Sequence, residues 1–313
     1  MGLEEFDSSY TGSQEMKQDL QRFGGDWTAE KLERVRKYLA AYATIMHNQN
    51  FRFAYIDAFA GTGYRTLKQA EDRNELLFPE FVEQDSQGFL EGSARIALQV
   101  RPRFDKYIFI ERDQHRFAEL QKLKEDFPNV ASDISMVNAE ANSYLQDLCL
   151  NRKWQGHRAV LFLDPFGMEV TWETIAAIGA TKAIDLWVLF PIGVAVNRLL
   201  TRDGKITKGW RRRLDTMFGE KDWYDVFYET RRDVGLFGEN VITEKVGSFD
   251  LIGQYFVERL KTAFAGVAQN PLSMPNSRNV PLYLLCFASG NPKGAKTAVK
   301  IAQDILKRKT DGY

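Results

Sequence analysis

FAYIDAFAGTG, residues 53–63, is the stretch that decides the fold: an apolar run ends at Asp57 and passes into a turn holding Gly61 and Gly63. In doubly wound sheets, ligands bind beyond the carboxyl ends of the strands. Glycine lets the backbone come close to a ligand because it has no Cβ. The stretch therefore predicts a buried strand followed by a ligand-binding loop, although an ordinary β-turn with its usual glycines is the alternative.

Strand-like and helix-like segments alternate on both sides of this stretch. The strand-like segments are 53–57, 107–110, 134–137, 159–163, 185–190 and 281–288. This alternation predicts an α/β fold, with a mostly parallel sheet covered by helices on both faces. We expect four regions: an N-terminal helical lead over 1–50, the core over 51–196, a helical insertion over 197–245, and a completion of the core over 246–313.

Composition narrows the function classes. The formal net charge is zero, so any nucleic-acid binding needs a local basic patch. The two cysteines, Cys149 and Cys286, form no CxxC pair, which argues against a zinc site or a disulfide framework and suits a reducing cytoplasm. The longest apolar run, 183–196, is interrupted by Asp185 and Pro191 and is too short to cross a bilayer. We expect a cytoplasmic protein without a membrane anchor.

Polar residues follow three successive strand-like segments. These positions are suited to bind the ammonium, the ribose and the adenine of S-adenosylmethionine. Asp57 is suited to hold the ligand's ammonium, and Glu111 to bind its ribose hydroxyls. Asn138 or Glu140 is suited to contact the adenine edge. The full candidate set for the cofactor is Asp57, Ala58, Phe59, Gly61, Thr62, Gly63, Glu111, Arg112, Asn138 and Ala139.

Each of these segments has a simpler interpretation. Residues 111–113, Glu-Arg-Asp, resemble a solvated charge cluster, and 137–140 resemble an ordinary turn. Two other nucleotide-binding motifs fit less well. The Gly-Lys-Ser/Thr ending of a Walker A loop is absent, and a dinucleotide fingerprint needs a third glycine where Thr66 stands. A nicotinamide-dependent oxidoreductase is therefore a weaker hypothesis.

The fourth segment, Asp164-Pro165-Phe166-Gly167, follows the strand-like run 159–163. It resembles the Asp-Pro-Pro-Tyr motif of amino-directed methyltransferases. In that motif the acid and a backbone carbonyl accept hydrogen bonds from the target amine, while the aromatic ring stacks on the base. Here the second proline is missing and the aromatic residue comes one place early. The candidate catalytic residues are Asp164, Pro165 and Phe166, and a plain proline turn is the alternative.

A basic segment with an interleaved tryptophan lies inside the expected insertion. Arginine and lysine beside an aromatic side chain form the pattern of a nucleic-acid-binding surface. A solvated helix face is the alternative. The candidate nucleic-acid-binding residues are Arg198, Arg202, Lys208, Trp210, Arg211, Arg212 and Arg213.

Several segments together resemble the three-Cys-motif partner proteins. The resemblance spans about Trp27 to Leu306 and rests on residues 53–63, 109–111, 163–168 and 185–191, with support from 27–32 and 284–291. It implies a bacterial or phage protein with a Rossmann-like class I methyltransferase fold, and a functional link to a separate three-Cys-motif protein. The sequence therefore predicts a methyltransferase that uses S-adenosylmethionine and acts on DNA, RNA or a nucleotide-like amine. A non-catalytic scaffold for the partner is the alternative.

Overall fold

The computed structural model describes residues 26–59, 92–165, 167–235, 238–276 and 279–307. The helices are α1 Asp26–His47, α2 92–99, α3 Gln114–Gln121, α4 Leu123–Asp126, α5 Ala141–Asn151, α6 Trp172–Ala180, α7 Asn197–Leu199, α8 Lys208–Phe218, α9 Trp223–Phe227, α10 Phe249–Ala263 and α11 Ala295–Leu306. A 3-10 helix covers Pro128–Asp133, and a π-helix covers Ile192–Val196. The strands are β1 Arg52–Ala58, β2 Lys106–Glu111, β3 Ile134–Asn138, β4 His157–Leu163, β5 Ile184–Phe190, β6 Tyr228–Gly235, β7 Gly238–Lys245, β8 Gly266–Val267, β9 Leu272–Pro275 and β10 Pro281–Ser289.

A single sheet organises the molecule, and its strand order is β3-β2-β1-β4-β5-β10-β8, with β9 also paired to β10. The first five strands pair in parallel, whereas β10 runs antiparallel to β5. Crossover helices are needed to join parallel strands, which explains why strands and helices alternate along the chain. This is a Rossmann-like α/β fold with a mostly parallel sheet covered by helices on both faces, so the predicted fold class is confirmed.

Alternating side chains divide the interior into two layers, one on each face of the sheet. On one face, Ile56 of β1 and Leu161 of β4 pack under α5, α6 and α10. On the other face, Tyr55 of β1 and Val160 of β4 pack under α1, α2 and α11. A strand that is buried on both faces has a nearly continuous apolar sequence. β5 is an example, because it is buried along its whole length.

The insertion differs from its prediction. Residues 197–227 are helical in part, in α7, α8 and α9, but Tyr228–Lys245 forms the antiparallel hairpin β6–β7. The helical prediction is therefore wrong for this segment. Cross-strand contacts hold the hairpin together, including the Thr230 and Thr243 hydroxyls at 3.1 Å and the Arg231–Glu244 ion pair at 3.2 Å. Because these paired positions are polar and exposed, the hairpin gives no hydrophobic alternation in the sequence.

The edge strands β8 and β9 were also absent from the predicted set, since both are short. Among the described helices, none is long and apolar enough to cross a membrane.

Candidate active site

The carboxyl ends of β1 to β4 lie along one edge of the sheet because these strands are parallel and paired in register. Ala58 is opposite Leu163 of β4 and Ile110 of β2, and Glu111 is opposite Asn138 of β3. Four of the predicted segments, separated along the chain, therefore begin at one edge. Of these four, the structure describes Asp57 to Phe59, the segments at the ends of β2 and β3, and both Asp164 and Pro165. Gly61, Thr62, Gly63 and Phe166 lie outside the described residues.

Asp57 is fully buried at this edge, with 0% of its surface exposed. Its Oδ2 atom accepts hydrogen bonds from the Ser93 hydroxyl at 2.7 Å and the Tyr55 hydroxyl at 3.0 Å. Within the described residues, no group donates to its other oxygen, Oδ1. A buried carboxylate oxygen without a donor is costly and favours the binding of a cation or a donor.

Burial raises the pKa of Asp57 to about 7, because a carboxylate loses hydration in an apolar surrounding. The hydrogen bonds from Ser93 and Tyr55 oppose this rise, and the nearby negative charge of Asp164 adds to it. Asp57 near the end of β1 and Asp164 just after β4 thus form an interacting pair of acids.

Phe59 turns the chain sharply away from the end of β1. Its φ angle is +68°, in the left-handed region that a bulky residue rarely occupies. Such a conformation costs on the order of 1–3 kcal/mol and persists where the surroundings impose it. The Phe59 side chain packs against the core, which anchors the turn. The strand therefore ends at the place where the sequence predicted its end.

Glu111 ends β2 with only 5% of its surface exposed. Its Oε1 atom accepts a hydrogen bond from the Asp113 N–H at 2.5 Å. Arg112 is exposed beside it. The carboxylate is held in place by its own loop, at the strand end where a carboxylate binds ribose hydroxyls in nucleoside-binding sheets.

Asn138 joins the ends of β2 and β3. Its amide nitrogen donates to the carbonyls of Glu111 at 2.9 Å and Arg112 at 3.0 Å, and the Ala139 N–H also donates to the Glu111 carbonyl, at 3.2 Å. The amide N–H₂ of Asn138 therefore positions the loop, and its exposed side chain lies at the predicted edge.

Glu140 has a structural role as the N-cap of α5. Its carboxylate accepts hydrogen bonds from the backbone N–H groups of Asn142 and Ser143 and from both side chains. Burial opposes ionisation, but these bonds lower the pKa of Glu140 below its usual value. We therefore assign Glu140 to helix capping and keep Asn138 as the candidate adenine contact.

Asp164 follows β4 directly, and only 7% of its surface is exposed. Pro165 beside it is buried, and Gly167 adopts a φ angle of +68° that glycine accommodates without strain. Strand alternation places Asp164 and Asp57 on the same face of the sheet. The candidate acceptor-binding acid and the candidate cofactor-binding acid are therefore neighbours.

The basic segment follows β5 after the π-helix, a rare element often found at functional sites. Arg202, Lys208 and the three arginines at 211–213 are exposed, whereas Arg198 is partly buried. Trp210 is partly buried against the core. The Arg211 guanidinium lies 4.6 Å from the centre of the Tyr224 ring. Arg211 therefore packs on Tyr224 within the insertion, whereas Lys208 and Arg212 are exposed to solvent.

Sequence reasoning missed the two hydroxyls that hold Asp57. Tyr55 is two residues away from Asp57 on β1. Because strand side chains alternate between the two faces, the sequence could have predicted that these two share a face. Ser93 lies in α2 and belongs to none of the segments that the sequence predicted for the site. Its contact with Asp57 joins residues 36 apart in the chain, and only the packing of α2 onto the sheet brings them together.

No family model matches this chain, and no curated protein matches it. Among solved structures, it is similar to a methyltransferase-like protein from Escherichia coli, yhhF, at 15% identity over 68% of this chain and 85% of that one, with a TM-score of 0.30. It is similar to protein LPL1258 from Legionella pneumophila at 17% identity, over 74% and 91% of the two chains, with a TM-score of 0.34. It is also similar to the 23S rRNA methyltransferase ErmE at 12% identity, over 71% and 75%, with a TM-score of 0.27.

At these identities and TM-scores, the neighbours do not identify a function for this chain. The strand order of the sheet shows a Rossmann-like α/β fold, with two interacting buried acids at the carboxyl ends of its parallel strands.

Proposed function

We propose that this protein is an S-adenosylmethionine-dependent methyltransferase. The observation that carries the proposal is the Asp57 carboxylate, buried beside Asp164 with one oxygen lacking a donor among the described residues. Two neighbouring acids, one of which has a carboxylate oxygen without a donor, favour a positively charged ligand. S-adenosylmethionine carries an ammonium and a sulfonium, so the residues at this edge suit it.

Asp57 would hold the ammonium, the loop after Phe59 would approach the carboxylate of the ligand, and Glu111 would bind the ribose hydroxyls. When bound, the cofactor supplies a methyl group already activated by the positive sulfur. The protein then has to position the acceptor in line with that methyl group and to exclude water. A nicotinamide dinucleotide suits the site less well, since its pyrophosphate would bring negative charge toward two acids.

The acceptor in this proposal is an amine of a nucleic acid or of a nucleotide-like molecule. Asp164 and the carbonyl of Pro165 would accept hydrogen bonds from that amine, which raises electron density on the nitrogen, and Phe166 would stack on the base. The exposed cations Lys208 and Arg212 would contact phosphates. The resemblance to three-Cys-motif partner proteins adds a three-Cys-motif protein as the working partner.

Calorimetry with S-adenosylhomocysteine and with NAD tests the cofactor. We expect saturable binding of the first ligand and none of the second. A folded protein that binds only NAD would contradict the methyltransferase proposal.

Transfer of a labelled methyl group from S-adenosylmethionine to total RNA, DNA and the partner protein tests the reaction. Asp164→Ala should abolish transfer, because the acceptor contact is lost, while S-adenosylhomocysteine still binds through Asp57 and Glu111. Glu169→Gln, an exposed position five residues farther along the same loop, is the matched control and should retain transfer. Cofactor binding without transfer to any acceptor would favour the scaffold hypothesis instead.

A further inference from the structure

A cavity lies at the opposite edge of the sheet from Asp57 and Asp164. It has a volume of about 390 Å³ and opens between α1 and α11, at the amino ends of β4 and β5. Pockets for small molecules have volumes of roughly 300–1,000 Å³. The cavity therefore has the size of a ligand site, and the proposed methyl transfer does not use it.

A rigid acid forms the floor of this cavity. Asp185 has 6% of its surface exposed, and its carboxylate accepts hydrogen bonds from the Ser289 hydroxyl at 2.6 Å and the Tyr38 hydroxyl at 2.8 Å. The two bonds use different oxygens, so each oxygen keeps a lone pair. Asp185 therefore presents an oriented acceptor to a ligand that carries an N–H or O–H group.

A cation stacked on an aromatic ring forms one wall. The Arg158 guanidinium lies 4.0 Å from the centre of the Phe51 ring, and its Nη1 donates to the His157 carbonyl at 2.7 Å. Its buried Nε has no acceptor among the described residues. Arg158 lines the cavity, and the N–H groups of a guanidinium are suited to a carboxylate or a phosphate.

The mouth of the cavity adds positive charge. Lys293 is exposed at the rim, and α11 begins beside it at Ala295. Gly294, the N-cap residue of α11, lines the cavity together with Lys293, so the positive end of the helix lies beside it. An anion is therefore favoured at the mouth as well as at Arg158.

Aromatic and aliphatic side chains line the rest of the cavity, including Tyr42, Met46 and Ile301. Together with Phe51, they form walls that suit a planar ring. The cavity thus combines an acceptor on its floor, apolar walls and cations at one wall and at its mouth.

We propose that this cavity binds a small aromatic anion, namely a planar ring that carries an N–H donor and bears a carboxylate or a phosphate. The ring lies between the aromatic walls, its N–H group donates to Asp185, and its anionic group pairs with Arg158 and Lys293. A nucleoside monophosphate and an aromatic carboxylic acid share this chemistry, and they are the two possible sources.

Calorimetry on the full chain distinguishes them, with guanosine 5′-monophosphate and indole-3-acetate as probes. Uncharged guanosine and inorganic phosphate serve as ligand controls. We expect one of the two aromatic anions to bind with a Kd of about 1 mM or tighter, and neither control to do so. Addition of saturating S-adenosylhomocysteine should leave this binding unchanged, since the two sites lie at opposite edges.

Two variants test the location. Arg158→Leu should weaken binding about tenfold or more, because it removes a hydrogen bond to a charged group. Thr297→Trp should block the cavity from an exposed position on α11 that lines it, so the fold is little disturbed. Lys300→Trp, exposed on the same helix and not lining the cavity, is the matched control and should bind like the unchanged protein.

Three results would overturn the proposal. One is the absence of binding of both aromatic anions at about 1 mM by folded protein. Another is binding that Thr297→Trp does not reduce. The third is competition between the bound probe and S-adenosylhomocysteine, which would place the probe at the cofactor edge instead.

Discussion

Protonation of Asp57 should control the affinity of the cofactor site. Burial holds the pKa of Asp57 at about 7 in the free protein. An ammonium bound beside its free oxygen favours the carboxylate, so binding below this pH must release a proton. The ammonium of S-adenosylhomocysteine stays protonated in the same range, which leaves Asp57 as the group that changes charge.

The size of the effect follows from this pKa. At about pH 5, two units below the pKa, only about 1% of Asp57 is ionised, so affinity should be about 100-fold lower than at about pH 8. That difference corresponds to about 2.7 kcal/mol of binding free energy.

Calorimetry measures both consequences. The dissociation constant of S-adenosylhomocysteine should rise about tenfold per pH unit as the pH falls below about 7, and it should level off above that pH. Titrations in buffers of different ionisation enthalpy should show about one proton released on binding at about pH 5 to 6. Methylthioadenosine lacks the ammonium, so its binding should release no proton.

Asp57→Asn should bind weakly and show no pH dependence. Asp147→Asn, an exposed aspartate on α5, is the matched control and should keep the slope of the unchanged protein. An affinity that is constant between about pH 5 and 8, or a slope that persists in Asp57→Asn, would refute the assignment of Asp57 to the ammonium.

Three further predictions concern stability and nucleic-acid binding. Burial raises the pKa of Asp185 to about 6 from an ordinary 3.8, so its contribution to stability is present below about pH 4 and is lost as the pH rises to about 6. Urea unfolding should show this loss, of the order of a few kcal/mol, and Asp185→Asn should flatten the curve in that window; a slope equal to that of the unchanged protein would contradict it. Arg211→Ala should cost about 0.5–1 kcal/mol of stability through its lost contact with Tyr224, whereas Arg212→Ala should leave stability unchanged and reduce the salt dependence of RNA or DNA binding by about one phosphate contact. Equal melting temperatures of these two variants would argue against the packing role of Arg211. Gly219→Ala should destabilise by more than about 1 kcal/mol, because Gly219 ends α8 at a φ angle of +72° and a Cβ there would lie 2.1 Å from the Trp172 ring; a melting temperature equal to that of the unchanged protein would refute this clash.

Local patterns in the sequence were sufficient for six strands of the main sheet, β1 to β5 and β10. Four apolar runs, which lead to Asp57, Glu111, Asn138 and Asp164, each form a strand. The reason is that a strand buried on both faces needs a continuous apolar run. Parallel pairing then placed these four residues at one edge. The hairpin β6–β7 could not be predicted in this way, since it is stabilised by backbone pairing and polar cross-strand contacts.

The sequence by itself determined the Rossmann-like fold and the edge of the sheet where the candidate cofactor residues lie. The tertiary structure alone decided the electrostatic character of that edge. The packing of α2 places Ser93 on Asp57, and the adjacency of β1 and β4 brings Asp164 close enough to raise the pKa of Asp57. In the same way, Arg158, Asp185 and Lys293 carry no shared motif, and they line one cavity only because α1 and α11 close over the opposite edge. The physical reason is that periodicity records which face of an element is buried, whereas hydration, charge interaction and cavity shape depend on contacts between residues far apart in the chain.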